Sequence, residues 1–152
     1  MVDRLPHWIQ ELLAIAVLVL LSSCQSPSQT IKGKESMEMQ VHYVEIVSEA
    51  VENQCKVLEQ VQGLSFGPEV QDLGQARVAK TANGVLIGVR APLAEHEQPI
   101  VRIYYAVDDI TQAVKAAEAA GAVIAYPPTE QGETGTWAIY IVDGIQYGLW
   151  QR

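Results

Sequence analysis

Apolar and polar residues are spaced in three different ways along this chain. Residues 12–21 are an unbroken apolar run, Leu-Leu-Ala-Ile-Ala-Val-Leu-Val-Leu-Leu. Residues 25–38 are polar and poor in apolar side chains. From Met39 the spacing becomes periodic. Val41–Val47 is rich in β-branched and aromatic residues and predicts a strand. Over Ala50–Gln62 the apolar residues Val51, Cys55, Leu58 and Val61 follow in steps of four, three and three, one face of a helix, and Gly63 supplies a C-terminal cap. Three strands are expected next, Leu64–Val70, Gln75–Thr81 and Gly84–Arg90, with Asn83-Gly84 as a hairpin signal.

After a polar linker, Ala91–Gln98, the order recurs. Pro99–Val107 predicts a strand. Asp108 or Asp109 then caps a helix running to about Ala120, closed by Gly121. Ala122–Tyr126 predicts a strand stopped by Pro127-Pro128. Thr136–Val142 and Gln146–Gln151 predict two more, turning through Asp143-Gly144. Tyr43 to Gly63 and Arg102 to Gly121 are nearly equal strand-to-glycine spacings, which argue for a duplicated βαβββ module.

Length and charge narrow the possibilities. The 152 residues allow one domain beyond the first segments. Eighteen Asp+Glu against ten Lys+Arg give a net charge of −8, which argues against nucleic-acid binding. Two cysteines cannot make a disulfide scaffold. The ten-residue apolar run would form a helix only about 15 Å long, against a bilayer core of about 30 Å. It suits the apolar region of a secretory signal.

Leu21-Ser22-Ser23-Cys24 follows that run directly and resembles the bacterial lipobox. That resemblance implies a signal peptide over 1–23, lipid on Cys24 and a flexible tether over 24–38. It implies a lipoprotein of the bacterial cell envelope, and Gln25 after the cysteine favours the outer membrane, facing the periplasm. The other reading is a plain cleaved signal or a short uncleaved anchor. Loss of residues 1–23 removes Arg4, Asp3 and Glu11 and moves the net charge from −8 to −7, so the domain should stand off anionic lipid.

The duplicated unit resembles the vicinal oxygen chelate superfamily, which includes glyoxalase I, extradiol dioxygenases and bleomycin-binding proteins. Three local matches carry this resemblance. They are Tyr43-Val-Glu-Ile46 before an amphipathic helix, Tyr105-Ala-Val-Asp-Asp109 before an Ala-rich one, and Val142-Asp-Gly144 leading to Tyr147-Gly-Leu-Trp-Gln151. The last resembles the glyoxalase-related branch. The resemblance implies an α+β fold over 39–152, two βαβββ modules forming a half-open curved-sheet barrel with helices outside.

It also implies metal ligands, usually His and Glu, on the first and fourth strands of each module. Here those positions fall on Tyr43, near Gly88, on Arg102 and on Gly148. None is a ligand of the usual kind, and no cofactor is expected. His42 is one residue from Tyr43 and is the single candidate ligand, should the strand slip by one and a divalent metal bind. Alternation along the strands instead turns Tyr43, Glu45, Arg102, Tyr104 and Trp150 inward. These predict a pocket for a small, flat or anionic organic molecule, with Arg102 as anchor. Glycines 88 and 148 would leave room for it. Only one of Trp137 and Tyr140 can face it, because they lie three positions apart.

Two other readings stay open. One is an enzyme, a lyase or dioxygenase relative with an atypical metal site. The other is a structural module whose barrel is filled by a Glu45–Arg102 pair and whose edges form a homodimer. Cys55 reads as a buried hydrophobe rather than a nucleophile.

Overall fold

The computed structural model describes residues 39–152. The expected signal peptide, Cys24 and the whole of the tether lie outside the described residues. The elements run β1 (Val41–Val47), α1 (Val51–Gln62), β2 (Glu69–Val70), β3 (Ala76–Lys80), β4 (Leu86–Arg90), β5 (Ile100–Ala106), α2 (Ile110–Ala119), β6 (Val123–Glu130), β7 (Thr136–Val142) and β8 (Ile145–Gln151). Neither helix is long and apolar enough to cross a membrane.

All eight strands form one curved, open sheet in the order β2-β3-β4-β1-β5-β8-β7-β6. The order reads as two βαβββ modules back to back. In each, the first strand pairs in parallel with the last: Glu45 lies opposite Gly88, and Tyr104 opposite Gly148. The modules meet where β1 and β5 run antiparallel, with Tyr43 opposite Tyr104 and Glu45 opposite Arg102. The fold is α+β, as the resemblance implied.

Alternation along the strands separates two faces. On β1, Tyr43, Glu45 and Val47 are buried and the residues between them are half-buried. The outer face carries the helices. Cys55 of α1 packs with Phe66, Ala79 and Val89, while Ile110 and Val114 of α2 pack with Ala138 and Leu149. Burial raises the pKa of the Cys55 thiol. The inner face holds a separate core of Tyr43, Tyr104, Ile139 and Trp150.

Local signals work as their chemistry requires. Gly63 adopts φ +68° and its N–H reaches the Glu59 carbonyl at 3.0 Å. Asp109, not Asp108, caps α2 and accepts from the Gln112 N–H at 2.9 Å. Asp143 and Gly144 both take positive φ, the two-residue turn that suits the twist of a hairpin.

Two strands differ from the sequence pattern. The run Leu64–Val70 contracts to Glu69–Val70. Arg77 donates to the carbonyls of Phe66 and Gly67, and the Phe66 N–H is held by Glu59 at 3.1 Å. Side chains thus take backbone groups that a ladder would otherwise bind. The strand expected to stop at Tyr126 instead runs through Pro127-Pro128 to Glu130. It is an edge strand paired only with β7, and its register shifts between Tyr126 and Thr129. Prolines lacking an N–H are tolerated at an edge and at a bulge.

Candidate functional site

The concave face encloses a cavity of about 620 Å³. Strands β1, β4, β5 and β8 supply its floor, and the linker 91–99 walls one side. Tyr43, Glu45, Arg102, Tyr104 and Trp150 all line it, so the structure brings the five expected side chains together. Trp137 lines it as well. Tyr140, three residues on, faces outward and stacks on Tyr147 with ring centroids 5.3 Å apart.

The polar part is an ionic network spanning both modules. The Glu45 carboxylate accepts from Arg90 Nε at 2.6 Å, from Arg102 and from the Tyr104 hydroxyl at 3.1 Å. All three of Glu45, Arg90 and Arg102 are buried, with 5–6% of each exposed. Arg90 also grips Glu97 in a fork, at 2.6 and 2.8 Å, and Glu97 accepts from the Leu93 N–H. Arg90 holds the Glu97 carboxyl down to about 2, and the Leu93 N–H contributes in the same direction. Arg102 forks onto the Gln146 side-chain carbonyl at 2.5 and 3.0 Å. Two guanidiniums face two carboxylates, so the network is formally neutral.

The apolar part is a wall of rings. Tyr43, Tyr104 and Trp150 lie with centroids 5.5–5.6 Å apart, and Trp137 meets Tyr104 edge-on at 6.5 Å. Trp150 donates its N–H to the Thr134 carbonyl at 2.8 Å. Burial, and then the Glu45 charge, raise the pKa of both cavity tyrosines, so they stay protonated.

The two glycines play a part other than the one expected. A Cβ on Gly88 would come within 1.9 Å of the Tyr43 hydroxyl, and one on Gly148 within 2.0 Å of the Tyr104 ring. Each glycine admits a tyrosine of its own module, not a ligand. The Tyr43 hydroxyl and the Trp137 N–H are both buried without a partner among the described residues.

His42 stands apart from this cavity. It rests on Trp150 at 5.4 Å and lines a smaller space with Glu133 and Arg152, and burial lowers its pKa. Among the described residues, no three His, Cys, Asp or Glu side chains gather. Both carboxylates of the main cavity are taken by arginine. This donor set does not fit a divalent ion.

Arg90 and Glu97 were not legible as site residues. Arg90 ends a predicted strand two positions after Gly88, and that spacing places it on the inner face. Glu97 lies in the linker, where no periodicity gives a direction.

No family model matches the chain, and no curated protein matches it. Solved structures do. Hypothetical protein BH1468 from Bacillus halodurans C-125 is 13% identical with a TM-score of 0.61, over 76% of this chain and 95% of that one. Methylmalonyl-CoA epimerase from Mycobacterium tuberculosis is 15% identical with a TM-score of 0.58, over 73% and 86%. A Streptomyces coelicolor methylmalonyl-CoA epimerase variant, in complex with 2-nitronate-propionyl-CoA, is 14% identical with a TM-score of 0.53, over 74% and 96%. The fold is of the vicinal oxygen chelate type. Likeness at this identity speaks for the fold alone. The vicinal oxygen chelate positions read from the sequence are occupied by the tyrosine–glycine contacts and by Arg102, already engaged with Glu45 and Gln146.

Proposed function

We propose that this chain is an envelope-anchored protein that binds a small organic molecule in the concave cavity of a vicinal oxygen chelate fold, with no resident divalent ion. The observation that carries the reading is the cavity itself. A space of about 620 Å³ is within the range of small-molecule sites, and it is lined by an aromatic wall facing a fixed polar network. A filled barrel would leave no such space. The solved neighbours include an enzyme holding a CoA derivative in this fold, which supports small-molecule binding in general and no particular ligand.

Trp137 and Trp150 both line the cavity, so intrinsic fluorescence of residues 39–152 reports on it directly. A ligand should quench or shift that emission and raise the melting temperature in step, since binding to the folded state alone stabilises it. A compound that raises the melting temperature without changing the emission would place binding elsewhere. Anchoring rests on Leu21-Ser22-Ser23-Cys24. Radioactive palmitate should label the wild type and not Cys24→Ser; labelling of both would end that part of the proposal.

A further inference from the structure

The cavity's charge and its unused hydrogen-bonding groups define a class of ligand. Its charged lining residues are Arg90, Arg102, Glu45 and Glu97, two of each sign. All four are committed to one another through Arg90–Glu45, Arg90–Glu97 and Arg102–Glu45 pairs. An incoming carboxylate would therefore find no free cation. It would have to shed water, compete with Glu45 or Glu97 for a guanidinium, and enter a protein whose net charge is −8.

The unfilled capacity is mostly on the donor side, where the Tyr43 hydroxyl and the Trp137 N–H already lack partners among the described residues. A guanidinium has five N–H groups. Arg90 spends four, on Glu45, the Ala91 carbonyl and both oxygens of Glu97. Arg102 also spends four, two on Gln146, one on Glu45 and one on the Tyr104 oxygen. One N–H of each is left. Gln146 accepts both bonds on its carbonyl oxygen, and its amide N–H₂ has no partner among the described residues. The Glu45 oxygens accept three bonds, from Arg90, Arg102 and Tyr104, and those of Glu97 three, two from Arg90 and one from Leu93, which leaves each carboxylate about one acceptor site. The rim adds exposed apolar surface, Leu93 at 68% and Tyr126 at 55%.

We infer that the ligand is an uncharged, flat molecule bearing carbonyl or ring-nitrogen acceptors, read by the Gln146 amide and the spare N–H groups of Arg90 and Arg102. This rests on the cavity being a binding site. It replaces Arg102 as an anion anchor: its charge is already spent on Glu45, and what it offers is one neutral-style donor.

The test uses matched pairs on one ring system, 2-naphthamide against 2-naphthoate and quinoline-2-carboxamide against quinoline-2-carboxylate. Binding to the full chain in non-ionic detergent is followed by calorimetry at pH 7. The amides should bind at least tenfold more tightly than their carboxylates. Gln146→Glu keeps an oxygen for the Arg102 fork but removes the free N–H₂, and it should weaken the amides about tenfold. Glu97→Gln leaves the cavity one positive charge in excess, and it should gain affinity for the carboxylates. Carboxylates that bind the wild type as well as the amides do would overturn the ligand class and leave the cavity reading standing. So would amide binding that is indifferent to Gln146→Glu. Failure of both pairs and of a wider neutral and charged set would overturn the cavity reading itself.

Discussion

Two tyrosines on neighbouring strands illustrate how a single oxygen atom sets the value of a residue. The Tyr104 hydroxyl donates to Glu45 at 3.1 Å, whereas that of Tyr43 is buried with no partner. An unmet buried hydroxyl costs about 1–3 kcal/mol, and a made bond contributes about 1 kcal/mol. Tyr43→Phe should therefore leave stability unchanged or raise it by about 1 kcal/mol, while Tyr104→Phe should lower it by about 1 kcal/mol. Urea titration of the two variants checks the opposite signs. Glu97 gives a pH-dependent case. Its folded pKa lies below the ordinary carboxylate value, so its stabilisation is full above pH ~4.5 and is lost as pH falls toward about 2. Glu97→Gln should cost on the order of 2–3 kcal/mol at pH 7, and the gap from wild type should close as pH falls through that window. A gap that stays constant down to pH 2 would mean that Glu97 acts through packing alone.

Strands β4 and β8 each carry a glycine against which a ring from the first strand of the same module is pressed. Adding one methyl there forces overlap at 1.9 and 2.0 Å. Gly88→Ala and Gly148→Ala should each cost about 1–3 kcal/mol through overpacking. Combining Gly88→Ala with Tyr43→Ala should cost less than the two changes separately, and a double-mutant cycle measures the coupling. The signals for most elements are local: the cap at Gly63, the capping aspartate, the Asp143-Gly144 turn and the helical spacing from Val51 to Val61. Those elements are readable from the chain. Where the reading departs, the cause is distant. Residues 64–68 lose their ladder to Arg77, ten or more positions away, and β6 keeps its own past two prolines because only one of its edges is paired. The inward set of the site followed from period-two alternation on β1, β5 and β8. Glu97 did not, because a linker's direction is fixed by the guanidinium it meets.

The molecule as a whole is held by a seam, the antiparallel pairing of β1 with β5, and the ionic network crosses that seam from Glu45 to Arg102. Neither module has a closed inner core of its own: the inner ring cluster draws Tyr43 from the first, and Tyr104, Ile139 and Trp150 from the second. Residues 39–152 should accordingly unfold in one step. Both tryptophans of this segment belong to the second module, whereas far-UV circular dichroism reports on both, so their urea midpoints should coincide. Separate midpoints would mean that the modules are independent.

The pairing of Arg90 and Arg102 with Glu45 has one more outcome. The cations at the heart of this cavity are part of the polypeptide, so a chelator cannot strip them and a competing ion cannot replace them. Depleting metal from the medium should therefore leave this network, and the joining of the two modules across it, unchanged.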